Sequence, residues 1–178
     1  MKQQVKKNMV GIAVAAFLLL ICIVISFIPK DRKYDNLQHA LAEDKVFYGA
    51  DILETIESNG VVDVFYLAND MQLRNQIVLV NPYCRVLDRV VFPDKQISVH
   101  DYIIVYQKYK NKHCISITST KENALKESVR DNQDSEFAFF QYIYPEQFSL
   151  QISNWMIVFD ELPENYSVTV DGETVAFN

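Results

Sequence analysis

Residues 9–28 run for twenty positions without a charge. As a helix rising 1.5 Å per residue, that run measures about 30 Å, the thickness of a bilayer's hydrocarbon core. It lacks the polar face that a helix packed on a soluble core would carry. A cleaved signal peptide has a shorter apolar region, about 7 to 15 residues, closed by a small-residue site. Here the run ends Ser26-Phe27-Ile28-Pro29-Lys30, and the bulky Ile21 before Cys22 departs from a lipoprotein signal. The sequence therefore predicts a basic tail over residues 1–8, an uncleaved transmembrane anchor over 9–29 and a folded domain over 34–178.

Orientation follows from the flanks. Lys2, Lys6 and Lys7 precede the run, and Lys30, Arg32 and Lys33 follow it, nearly a tie under the positive-inside rule. A short tail with three lysines is costly to move across a bilayer, whereas a large acidic domain can follow a signal-anchor outward. The expected topology is single-pass in the cell membrane, with the N-terminus cytoplasmic and the C-terminal domain extracytoplasmic. Beyond residue 30 there are 13 basic residues against all 23 acids, a formal charge of −10. Such a domain repels phosphate backbones, so no nucleic-acid partner is expected. Anionic lipid headgroups would repel it too. Its three glycines, Gly49, Gly60 and Gly172, cannot build a phosphate loop or a dinucleotide fingerprint.

Periodicity within the domain predicts an α+β fold. Leu37, Leu41, Tyr48, Ile52 and Ile56 fall on one helical stripe, which predicts an amphipathic helix over 35–58 stopped by Asn59-Gly60. Gly49 would weaken that helix by about 1 kcal/mol relative to Ala. Residues 61–69 fit a short helix or a strand. Residues 76–80 and 85–92 read as strands about an Asn81-Pro82 turn. Residues 96–109 read as one long strand, with Asp101 at a bulge or edge. Lys110-Asn111 then turns the chain into a hairpin partner over 112–118. Ser119-Thr120-Lys121-Glu122 matches a capping box and predicts a further short helix over 120–130. Strands over 136–144, 150–159 and 166–177 complete a mainly antiparallel sheet. The sharpest local expectation is the Asp171-Gly172 turn. A type I′ geometry there fixes Val170 opposite Glu173, Thr169 opposite Thr174 and Val168 opposite Val175.

Chemistry-bearing motifs are scarce. His39, His100 and His113 have no metal-ligand spacing to one another or to a cysteine pair. His113 and Cys114 are adjacent, but neighbours on a strand point to opposite faces and cannot form a Cys–His dyad. No catalytic, cofactor-binding or metal-binding residue is assigned, and no cofactor is expected. Cys84 and Cys114 are the two cysteines outside the apolar run. In an oxidising compartment they can form a disulfide; otherwise they serve as two separate small hydrophobes.

The basic N-terminus Lys7-Asn8-Met9-Val10-Gly11, the apolar run and the stretch from Tyr34-Asp35-Asn36-Leu37 to Ser58-Asn59-Gly60 resemble small pilin-like proteins of Tad and type IV systems. The resemblance covers about the first 60 residues. It implies a membrane helix continued by an amphipathic helix that packs between copies. At the position where a type IV prepilin carries Glu this chain has Ala16, so no processing residue is carried across. The function expected from the sequence is a non-enzymatic, membrane-anchored interaction or assembly domain of a cell-envelope complex, with a protein partner or self-association. A pilin-like subunit and an anchored enzyme with an unrecognised site are the alternatives.

Overall fold

The computed structural model describes residues 32–80, 83–87, 93–143 and 151–177, all within one compact unit that begins at Arg32. The apolar run 9–28 lies outside the described residues. No helix among the described residues is long and apolar enough to cross a membrane.

The α+β expectation is overturned. Among the described residues the fold is antiparallel β with one short α-helix. In chain order the elements are β1 (Arg32–Tyr34), α1 (Leu37–Glu43), β2 (Asp51–Ser58), β3 (Val61–Leu67), β4 (Leu73–Leu79) and β5 (Cys84–Val86). There follow β6 (Lys95–Val99), β7 (Tyr102–Tyr109), β8 (Lys112–Ser119), one 3-10 turn (Lys126–Ser128) and β9 (Val129–Asp131). The chain ends with β10 (Ala138–Ile143), β11 (Gln151–Phe159), β12 (Ser167–Val170) and β13 (Glu173–Ala176).

The expected helix over 35–58 is a helix only to Glu43. Asp44 leaves the helix in an extended conformation and turns its carboxylate back on the chain. That carboxylate accepts from Val46 N at 2.9 Å, from Tyr34 Oη at 2.9 Å and from Arg32 Nε at 2.5 Å. Gly49 then adopts φ +70°, which no helix contains. Asn59-Gly60 is a hairpin turn, not a helix stop. Both residues have positive φ, and Ser58 pairs with Val61 across them. The helix expected over 120–130 is likewise replaced. Ser119 is the buried last residue of β8, and its Oγ accepts from Lys121 N in a local turn. Only the 3-10 turn and β9 follow. The single strand expected over 96–109 is two strands, β6 and β7, with Val99 paired to Tyr102 and His100 at φ +48°.

Three sheets and α1 stack in layers. The first sheet has order β1-β5-β4-β3-β2, the second β10-β11-β8-β7-β6 and the third β13-β12-β9. β3 lies inside this stack and is buried on both faces, so it reads as a continuous apolar run without alternation. Its Val62, Val64 and Tyr66 pack with Ala40, Phe47 and Val86 on the α1 side. Val61 and Phe65 face the second sheet, with Cys114, Met156 and Val158. There Phe65 stacks on Phe140 at 4.4 Å between ring centroids. The opposite face of the second sheet carries Tyr102, Ile104, Ile117 and Trp155, which pack on Val129, Val168 and Val170 of the third. The last hairpin has the expected register, Val170–Glu173, Thr169–Thr174 and Val168–Val175, with Asp171 and Gly172 both at positive φ. Val168 is buried, while the two threonine hydroxyls meet at 3.0 Å on the outer side.

Candidate functional site

Strand alternation sets the site. Asp63 sits between Val62 and Val64 on β3, so it shares a face with Val61 and Phe65 and points toward the second sheet. It is fully buried. Asn75 on β4 is its diagonal neighbour on the same face, since Asp63 pairs with Ile77. Asn75 Nδ2 donates to both carboxylate oxygens, at 3.0 and 2.9 Å. From the opposing sheet come Gln107 and Tyr109 of β7 and Cys114 and Ser116 of β8. The apolar cluster fills the space between the sheets beside β2, β10 and β11. On the β4, β6 and β7 side the space stays open as a cavity of about 340 Å³, walled by these groups with Ile77, Leu87 and Val105.

The electrostatics of this wall have one source. Burial pushes the Asp63 carboxyl up to about 6, and the Asn75 hydrogen bond only partly opposes this. The Cys114 thiol is raised by burial and then by the Asp63 charge. Tyr109 is raised by burial first, then by Cys114 and Asp63. Both therefore remain protonated at neutral pH. Gln107 is 6% exposed; its Nε2 donates to Asp94 Oδ2 at 3.3 Å, while its Oε1 has no hydrogen-bond partner. Buried polar atoms are normally paired, so an orphaned acceptor on the same cavity wall as a buried acid marks it out. Chemically, the described residues of the cavity offer acceptors, one negative charge and neutral hydroxyl, amide and thiol groups.

The cysteines named from the sequence occupy different layers. Both are free thiols and both are buried. Cys84 packs with Val86 and Val78 on the α1 side of the first sheet, and Cys114 lies on the far side, between the first and second sheets. His113 points away from Cys114, its Nδ1 2.7 Å from Tyr106 Oη. No group of three or more His, Cys, Asp or Glu side chains among the described residues is placed to hold a metal ion. Asp63, Asn75 and Gln107 were not singled out by sequence reasoning. The available signal was a lone acid inside Val61-Val62-Asp63-Val64-Phe65, an apolar run that excludes charge unless the position has a use.

Comparison of the chain with protein-family models, with curated proteins and with solved structures finds no match to any of them.

Proposed function

We propose that this protein is a membrane-tethered, non-enzymatic binding module, with its layered β domain outside the cytoplasm and the inter-sheet cavity as its binding site. The observation that carries this is Asp63, a fully buried acid on the wall of a cavity of about 340 Å³, whose one side-chain partner among the described residues is a neutral amide. Burying a charge with so little compensation is costly, and strongly shifted acids in clefts cluster at functional sites. The volume lies within the range of small-ligand pockets, about 300 to 1,000 Å³. A binding role suits the wall better than catalysis. Its thiol and phenol are held protonated, and no imidazole lines the cavity. The apolar run 9–28 supplies the tether and keeps the domain concentrated near the membrane, where a partner or a second copy would meet it. The pilin-like alternative needs an amphipathic helix through Ser58, and α1 stops at Glu43.

Three measurements on the full chain test this reading. Alkaline carbonate should leave the protein in the membrane pellet, and protease added to intact cells should remove the domain. A melting-temperature screen of small molecules against detergent-solubilised protein should return saturable stabilisers that the variant Asp63→Asn no longer answers. Extraction into the supernatant contradicts the tether, and an empty screen contradicts the cavity as a binding site.

A further inference from the structure

If the inter-sheet cavity is a binding site, as proposed above, its walls specify what fills it. Asp63 shares a single amide donor between its two oxygens and makes no ion pair among the described residues. Among the described residues no Lys, Arg or His lines the cavity. Gln107 Oε1 is a second buried acceptor without a donor. Both deficits are of one kind: among the described residues the Asp63 carboxylate meets no positive charge and Gln107 Oε1 meets no donor. We infer that the cavity binds a small organic cation bearing N–H donors, a primary ammonium or a guanidinium. Asp63 is its counter-charge and Gln107 Oε1 a further acceptor. A hydrated cation would leave its water behind here, so the direct N–H bonds must replace it. Ile77, Leu87 and Val105 then meet the carbon body of the ligand.

Asp63 and Gln107 are both covered, so a ligand that bonds them must displace side-chain atoms. Gln107 is suited to that movement. Its two Nε2 bonds are long, 3.3 Å to Asp94 Oδ2 and 3.5 Å to Lys108 O, and its Oε1 bonds nothing. Rotating it gives up little and lets the orphaned oxygen find an N–H. A bare metal ion fits less well, since the described residues gather no set of three such ligands.

The test is calorimetric titration of the full chain in detergent at physiological salt. One probe is agmatine, with a guanidinium and an ammonium on a four-carbon body; the other is 1,4-butanediol, the same body without charge. Agmatine should give saturable binding and butanediol none. Asp63→Asn should weaken agmatine at least tenfold while the protein still melts cooperatively. Gln107→Leu, which keeps the acid, should weaken it several-fold, and it decides the matter if Asp63→Asn fails to fold. Agmatine binding that is unchanged in the folded variants places the cation elsewhere on the acidic surface and overturns the inference. Saturable butanediol binding that survives Asp63→Asn overturns the cation while leaving the cavity a binding site. Silence from both probes overturns the cation as well, and the wider melting screen then decides whether the binding-module reading falls with it.

Discussion

Replacing Asp63 by Asn should make this protein more stable at neutral pH. The native carboxyl titrates near 6, raised from 3.8 by burial. A folded state that holds its proton more tightly than the unfolded chain loses stability as pH rises between the two values. The loss begins near pH 4, is nearly complete above pH 6 and stays constant beyond. A shift of about two units corresponds to about 3 kcal/mol. Asn keeps the shape and can still accept from Asn75 Nδ2, yet carries no charge to bury. Urea unfolding at a series of pH values, followed by the fluorescence of Trp155, gives the two stabilities directly. Trp155 is the single tryptophan and is fully buried between the second and third sheets, so its emission reports the core. Taking the difference between variant and parent removes every contribution common to both. The difference should be near zero at pH 4 and below, and rise to about 3 kcal/mol in favour of Asn by pH 7. A difference independent of pH, or an Asn variant less stable at pH 8, would refute the argument that Asp63 is an under-compensated buried charge.

Other positions give equally definite expectations. Gly172→Val should destabilise by roughly 1 kcal/mol or more, read in the same urea titration; nothing lies within 4 Å of the added Cβ, so the cost is the positive φ alone. Asp44→Ala should cost about 3 kcal/mol, because it removes the buried acceptor that Arg32 Nε, Tyr34 Oη and Val46 N share; a loss under 1 kcal/mol would mean that the node does not hold β1 to α1. Cys84 and Cys114 should resist thiol reagents in the native protein and both react, without reductant, once it is unfolded; a peptide map linking them would contradict their separation into two core layers.

Local chemistry explains which parts of this fold the sequence discloses. Asp171-Gly172 and Lys110-Asn111 identify their hairpins because each is a turn pair with a strand pattern on both sides. Asn59-Gly60 carries the same signal, yet the Leu37–Leu41–Tyr48–Ile52–Ile56 spacing also satisfies a helix. Helix and hairpin compete for those residues, and the chain leaves the helix at Asp44, whose carboxylate binds Arg32 and Tyr34, contacts that helical periodicity does not encode. His100-Asp101 is harder to see, since His tolerates positive φ less often than Asn and signals no turn. Asp63 was visible only as an anomaly. Its role depends on β3 being covered on both faces, and that depends on the second sheet folding over the first. The cavity is farther still from sequence, because it exists where two sheets built from distant segments part from one another.

The most direct test of the cavity as a site is to watch its walls while a solute binds. The side-chain amides of Asn75 and Gln107 line the same cavity as Asp63, and their resonances in isotope-labelled full-length protein in detergent respond to whatever enters. Titration with agmatine should shift both, saturably and in step, and leave the amides of Asn132 and Gln133 near β9 in place. Saturable shifts confined to such surface amides, or none at Asn75 and Gln107 at any concentration, would contradict the cation; if no stabiliser from the melting screen shifts Asn75 or Gln107 either, the space between the sheets is a packing defect and not a binding site.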